Sequence, residues 1–198
     1  MYRKIPFVAA EKQIVDQRKS TMGSVPVYNT PVTPRANFDA MWDEKHPYWM
    51  PGIREAAVLS ADIYYSTLGR GTRADMVDVF GVQWKYEPTA GGSIAVSGHP
   101  LMEDVNQWRV KIKLPDIDAW DWEAAAKATP IDPRFPTYIT FLNGFWFERL
   151  ISFMDFIGAA MAIIDEEQID AVKELFAAMT DLGCRLVDKY CEYWPMLD

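Results

Sequence analysis

The sequence predicts a mixed α/β fold that is mainly helical, and three patterns lead to this prediction. Apolar residues recur at steps of three and four over residues 145–156 and from 166 to about 194, which is the period of an amphipathic helix. Residues 136–142 form an apolar run between a proline and an Asn-Gly pair, as in a buried parallel strand. Over residues 75–115, β-branched and aromatic residues alternate with glycine turns, which predicts short hairpin-like strands.

The composition divides the chain of 198 residues into an N-terminal arm, residues 1–33, and one domain over residues 34–198. The arm combines Gly23 with several prolines in a run rich in Ser, Thr and Asn, which favours irregular structure. A chain of this length can bury a stabilising core without disulfides or metals. We therefore expect one folded domain that carries an irregular arm.

Three further helices are predicted before the strand at 136–142. Thr33 is a suitable N-cap residue and Pro34 suits the first helical position, so a short helix is expected to begin there. A second helical pattern spans residues 52–68 and is followed by glycines. A third spans residues 117–128, where the acidic first turn complements the helix dipole.

The long C-terminal helix has its own start signal and one unusual residue. Asp165 and Gln168 resemble a capping box that would fix its first turn. Asp181 and Arg185 are four residues apart, a spacing that favours an ion pair on the helix surface. Gly183 costs roughly 1 kcal/mol relative to alanine inside a helix. It therefore predicts either a kink or the close approach of another side chain.

The acidic balance of the chain excludes two classes of partner. With 28 acidic and 20 basic residues the net charge is −8, whereas nucleic acids and anionic membranes need a cationic surface. Residues 151–164 are interrupted by Asp155 and are shorter than the roughly 20 residues that span a bilayer. The N-terminus has no apolar run of signal-peptide length. The sequence therefore predicts a cytoplasmic protein.

Basic residues also alternate with apolar ones near the middle of the chain. Arg109, Lys111 and Lys113 follow the period of a strand, which predicts a solvated strand face rather than a phosphate site. No Gly-rich phosphate loop, serine nucleophile elbow or dinucleotide fingerprint occurs in the sequence.

The two cysteines and the two histidines do not form a recognisable metal motif. Cys184 and Cys191 are seven residues apart on one helix, so their Cα atoms are expected roughly 10 Å apart, too far for a disulfide. They share a helical face with Val187, which predicts buried structural thiols. His46 and His99 are each followed by proline and lack the short ligand spacing of a zinc site. No metal site is predicted.

Short motifs occur in a characteristic order along residues 34–198. They are DVFGVQW at 78–84, GG at 91–92, PLMEDVNQW at 100–108, LPD at 114–116 and GFWFERL at 144–150, followed by Gly158 and the helix over 165–194. This order resembles the N-terminal half of the uroporphyrinogen decarboxylase superfamily, and most closely its corrinoid-dependent methyltransferase branch.

The resemblance implies a (β/α)₈ barrel with its chemistry at the C-terminal ends of the strands. A closed barrel needs about 250 residues, so this chain would supply a truncated domain with the N-terminal helices and the first one or two βα pairs. In the methyltransferase branch the resemblance also implies zinc, held by one His and two Cys in the C-terminal half, and a corrinoid. No residue here matches those positions, so neither cofactor is expected in this chain.

Five residues are candidates for a pocket, and each has a structural alternative. Asp78 could contact a ligand at a strand end beside Phe80, or it could simply cap a turn. Trp146 and Phe147 could line a pocket, although core packing explains most aromatic residues of this chain. Glu148 lies in the first turn of a helix after a strand, where it could serve a barrel active site or only complement the helix dipole. The catalytic residues stay unassigned.

Three functional hypotheses follow. In the first, the chain is the N-terminal portion of a corrinoid-linked methyltransferase and is inactive by itself. In the second, it is a divergent uroporphyrinogen decarboxylase, although the arginine-rich segment of that branch is absent and Arg54, Arg70 and Arg73 are scattered. In the third, it is a non-catalytic partner-binding or assembly domain.

The end of the chain on the apolar pair before Asp198 favours truncation, and open sheet edges with uncovered apolar helices predict a homo-oligomer. A corrinoid protein, or a chain that completes the barrel, is a further expected partner.

Overall fold

The computed structural model describes residues 13–20, 23–42, 46–59, 62–65, 67–68, 74–139 and 145–198. The strands are β1 (Ile14–Ser20), β2 (Gly23–Tyr28), β3 (Ala57–Val58), β4 (Met76–Val77), β5 (Gln83–Glu87), β6 (Gly92–Ala95) and β7 (Thr137–Tyr138). The helices are α1 (Pro34–Trp42), α2 (Asp62–Tyr65), α3 (Trp108–Lys111), α4 (Trp122–Ala128), α5 (Phe147–Ala162) and α6 (Ile169–Tyr193).

The chain forms two compact units. The first unit contains the described residues within 13–59, 126–139 and 194–198, and the second contains those within 62–125 and 145–193. The first unit holds the antiparallel pair β1–β2, the parallel pair β3–β7 and α1. The second unit holds the antiparallel sheet β4–β5–β6, α5 and α6.

The arm predicted over residues 1–33 is not irregular in its described part. Strands β1 and β2 pair in antiparallel register, with Arg18 opposite Val25. The Arg18 guanidinium donates hydrogen bonds of 2.6 Å to the carbonyl oxygens of Arg54 and Ala56 and stacks 4.8 Å from the centre of the Phe135 ring. These contacts with distant segments, which composition does not reveal, order the pair. The prediction of irregular structure was therefore wrong here.

The helix predicted over residues 52–68 is also wrong for most of its length. A short 3₁₀ turn over Ile53–Glu55 leads into β3, and only α2 is helical. The N–H group of Ala57 donates to the Pro136 carbonyl (2.7 Å), because β3 lies parallel to β7. The expected parallel strand over 136–142 is confirmed at β7, whereas residues 140–142 lie outside the described part of the chain. The partner of β7 was not predicted.

The expectations for α1 and for the middle of the chain are confirmed with two changes. Thr33 caps α1, since its hydroxyl accepts a hydrogen bond from the Ala36 N–H (3.1 Å), and β4, β5 and β6 are the expected short strands. Of the basic residues expected on a solvated strand, Arg109 and Lys111 instead belong to α3 and Lys113 follows the helix; all three are exposed. The helix expected over 117–128 is split into a 3₁₀ turn at Ile117–Ala119 and α4.

Helix α5 is broken at Asp155, the one described residue other than glycine with a positive φ (58°). This backbone conformation is costly for an L-amino acid. The Asp155 carboxylate accepts a hydrogen bond from the Gly98 N–H (2.9 Å), which ties the break to a neighbouring turn. At Gly183 of α6 a Cβ atom would lie 3.5 Å from the Phe145 ring, an ordinary van der Waals distance, so this ring does not require glycine.

Helix α6 forms much of the core of the second unit with a stripe of buried residues. These residues are Ala171, Val172, Leu175, Met179, Leu182, Leu186 and Tyr190. Cys184 and Cys191 are free and exposed, so the prediction of buried thiols was wrong. Each helical residue turns about 100°, which places Cys184 on the side opposite Leu182 and Leu186. Arg185 pairs with Asp118 (2.5 Å) rather than with the expected Asp181.

The fold is therefore a mixed α/β structure with small sheets, and no sheet of the described residues closes into a barrel. Strands β3 and β7 are parallel, as in βα folds, whereas the other described pairs are antiparallel. Within the described ranges, no helix is long and apolar enough to cross a membrane.

Candidate functional site

Asp78 is a buried structural centre of the second unit. One carboxylate oxygen accepts hydrogen bonds from the N–H groups of Phe80 and Val82 (2.9 Å each), and the other accepts one from the Trp84 indole (2.9 Å). The second oxygen also pairs with the Arg149 guanidinium at 2.6 Å. This arrangement satisfies a carboxylate that would otherwise be costly to bury, and it fixes the turn before β5.

Arg149 completes this arrangement and was not among the residues singled out from the sequence. Its side chain is only 4% exposed and that of Asp78 is fully buried. The guanidinium carbon lies 4.5 Å from the centre of the Phe80 ring and 5.7 Å from that of Phe153. Aromatic faces of this kind stabilise a desolvated cation. The four side chains link the β4–β5 turn to α5.

The other three predicted pocket residues lie at the start of α5 with different surroundings. Trp146 is exposed, and its indole donates a hydrogen bond of 3.1 Å to the Thr180 hydroxyl. Phe147 is half-buried and packs edge-on against Phe156, with 6.5 Å between ring centres. Glu148 is an exposed residue of the first turn. The structure therefore brings Asp78 and Phe80 together. A pocket formed by all five candidate residues stays a prediction.

The parallel strands β3 and β7 mark where a βα fold would have its catalytic or ligand-binding residues. Such folds bind ligands beyond the carboxyl ends of their parallel strands. Here those ends lead into residues 60–61 and 140–144, which are outside the described residues. The described structure therefore assigns no side chain to that position.

The first unit contains an open cleft of about 670 Å³, hereafter the cleft. It is lined by residues of α1, by residues 50–53, 55 and 56, by residues 136–138 and by Asp198. Its walls are mainly apolar and include the aromatic residues Phe38, Trp42 and Tyr138. A volume of this size lies within the range of ligand-binding pockets, about 300–1,000 Å³.

A chain of polar contacts fixes the wall of the cleft. The buried amide of Asn37 accepts from the Tyr48 N–H (2.7 Å) and donates to the Trp49 carbonyl (3.0 Å). The Trp49 indole in turn donates to the Glu55 carboxylate at 2.8 Å. The loop between α1 and β3 is therefore held by neutral hydrogen bonds, and Glu55 is placed on the cleft wall.

Asp198 forms another part of the cleft lining. Asp198 pairs with Arg35 at 2.6 Å and accepts a hydrogen bond from the Thr137 N–H (2.7 Å) through its second oxygen. The Asp198 N–H donates to the Thr137 carbonyl (2.9 Å). Arg35 also donates to the carbonyl oxygens of Phe135 and Met196, so this guanidinium joins three segments.

The shifted pKa values lie outside the cleft. Hydrogen bonds from the side chains of Lys189 and Arg185 lower the pKa of Asp118, and one from Arg134 lowers the pKa of Asp132. Burial lowers the pKa of Arg18. Within the described part of the chain, no three His, Cys, Asp or Glu side chains gather as a metal site would require.

The cleft was missed in the sequence because residues 136–138 and Asp198 lie far along the chain from α1 and residues 50–56. One signal was present: Met41, Trp42, Met50 and Ile53 are large apolar residues close together in the sequence. Comparison of the chain with protein-family models, with curated proteins and with solved structures finds no match.

Proposed function

We propose that this chain is the N-terminal portion of a uroporphyrinogen decarboxylase-like, corrinoid-linked methyltransferase and is inactive by itself. The proposal starts from the motif order over residues 34–198. One structural observation supports it. The carbonyl groups of Pro136 and Tyr138 accept hydrogen bonds from β3, whereas the N–H and carbonyl of Thr137, between them, bind Asp198.

Alternate residues of a strand present their backbone groups to opposite edges. Asp198 therefore lies on the edge of β7 away from β3, in the position of a third neighbouring strand. Helices α5 and α6 lie between β7 and Asp198 in the chain, as a helical connection does between parallel strands of a (β/α) barrel, whereas β4, β5 and β6 form a separate antiparallel sheet between β3 and β7.

Residues of both units have structural roles in the proposed protein. Arg35 and Asp198 hold the third strand position against β7. Asp78 and Arg149 support the second unit and are positioned away from solvent, so they are assigned a structural role. No step is assigned to zinc or a corrinoid.

The test is to determine the coding sequence immediately downstream of the Asp198 codon and to assay its product. We expect further βα pairs and a His-x-Cys pattern followed by a later Cys. The extended protein should transfer a methyl group from a methylated corrinoid protein to a thiol, measured as the thioether product, whereas residues 1–198 alone should give none. An extended protein without this activity, or a stop codon with no such frame, would contradict the proposal.

The decarboxylase hypothesis is not favoured by an observation in the described residues. Arg149 is committed to Asp78, and Arg70 and Arg73 lie outside the described residues. The assembly hypothesis has one specific observation in its favour, an apolar surface on the second half of α5. Phe156, Ile157 and Met161 are exposed there, and Ile164 is exposed just beyond the end of the helix.

Self-association through this surface is our second candidate. Residues 156–164 contain no ionisable side chain, so two copies can face each other there without the like-charge repulsion expected for a chain of net charge −8. Sedimentation at micromolar concentration should show a dimer or larger oligomer. The double variant Phe156→Glu, Ile157→Glu should be monomeric, whereas Val77→Glu, at another exposed apolar residue, should associate like the wild type. A monomeric wild type would exclude this candidate.

A further inference from the structure

The rim of the cleft exposes three large apolar side chains to solvent. Trp42 is 70% exposed, Met50 68% and Ile53 80%. They are contributed by α1 and by the loop that leads to β3, and all three line the cleft. The Trp42 ring packs edge-on against the Phe38 ring, with 5.9 Å between ring centres. This contact fixes the orientation of the Trp42 ring. Aromatic and Met side chains of this kind are typical of surfaces that receive apolar anchors.

The charged residues that line the cleft indicate the chemistry of the segment that binds there. Asp39, Glu55 and Asp198 contribute carboxylates to its lining, and none of its lining residues is Lys or Arg. Asp198 is paired with Arg35, whereas Glu55 is held by two neutral donors, the Trp49 indole and the Gly52 N–H. Asp39 is exposed on α1. An occupant therefore meets apolar walls with negative charge along them.

We propose that the cleft binds a basic amphipathic segment of a partner protein, with apolar anchors between the walls and Lys or Arg side chains against Asp39 and Glu55. Apolar grooves with acidic margins bind amphipathic helices of opposite charge in this way. An acidic segment would meet like charge, and a purely apolar one would make no contact with the exposed carboxylate of Asp39. The open form of the cleft and the exposed rim suit a chain segment that runs across it.

The experiment uses the whole chain and two peptide probes. One is the helical peptide LKKLLKLLKKLLKL, and the other has glutamate in place of every lysine. Isothermal titration should give a Kd on the order of micromolar for the lysine peptide and no binding for the glutamate peptide. Higher salt should weaken the lysine complex, because the contributing charges are at the surface.

Two variants and a matched control locate the binding surface. Trp42→Ala should raise the Kd at least about tenfold, as expected for a central aromatic anchor. Ile53→Asn should weaken binding in the same direction, whereas Val110→Asn, at a residue that is 83% exposed in the second unit, should leave the Kd within about twofold. Each altered side chain is exposed, so folding should be retained, and urea unfolding checks this.

Asp39→Asn should also raise the Kd, and the effect should disappear at high salt. The proposal would be overturned if the lysine peptide failed to bind, or if Trp42→Ala and Val110→Asn bound it equally well. Equal binding of the two peptides would overturn it as well, because charge would then play no part. These outcomes are independent of methyl transfer and of self-association through α5.

Discussion

Each unit has a buried polar centre, and the two centres are built differently. In the first unit the amide of Asn37 is fully buried and binds only main-chain groups of Tyr48 and Trp49, which follow α1. In the second, a charged pair joins Asp78 to Arg149, 71 residues away in the sequence. The neutral centre orders a local loop, whereas the charged one connects distant elements and leaves a buried charge if either partner is lost.

The largest expected effect is loss of the buried ion pair. Arg149→Met should lower the free energy of unfolding by about 3–5 kcal/mol, because Asp78 would remain buried without its cation. The double variant Asp78→Asn, Arg149→Met should be more stable than Arg149→Met alone, since no charge is then left unpaired. Urea unfolding followed by circular dichroism measures both. If the double variant is the less stable of the two, the pair is not the source of the effect.

A smaller loss is expected at the neutral centre. Asn37→Ala removes a buried amide that makes three hydrogen bonds to part-buried main-chain groups of Tyr48 and Trp49, and it should cost about 2–3 kcal/mol. The matched control is Asn106→Ala, whose amide is exposed and bonded to Asp104 and Glu167, and it should cost less than about 1 kcal/mol. Equal losses in the two variants would show that burial of Asn37 is not what matters.

The same contrast explains which elements could be predicted from the sequence. Helices α5 and α6 follow from local periodicity, and the cap at Thr33 follows from residue type. Strand β3 could not be predicted, because two residues acquire strand structure only through pairing with β7, about 80 positions later in the chain. Arg149 was missed for the same reason, since helical position alone does not reveal its buried partner.

Exposed charged pairs should make the smallest contribution, and their contribution should depend on pH. The hydrogen bond from Arg134 lowers the pKa of Asp132 below its ordinary value of 3.8. A carboxyl whose pKa is lower in the folded protein stabilises it above the unfolded pKa, and this contribution is lost as the pH falls through the folded value. Wild type should therefore be slightly more stable than Asp132→Asn at neutral pH. The difference should shrink as the pH falls through the lowered pKa of Asp132, and a difference that grows on acidification would contradict the assigned cause.

Substitution of the two exposed cysteines on the outer face of α6 should have almost no effect on the free energy of unfolding. Because Cys184 and Cys191 lie opposite the buried stripe, Cys184→Ser and Cys191→Ser should each change the free energy of unfolding by less than about 0.5 kcal/mol. Both thiols of the native protein should react with a maleimide reagent without denaturant. Reaction of only one thiol, or of none until the chain unfolds, would place this face of α6 against another surface, and the second unit would then depend on packing beyond its buried stripe.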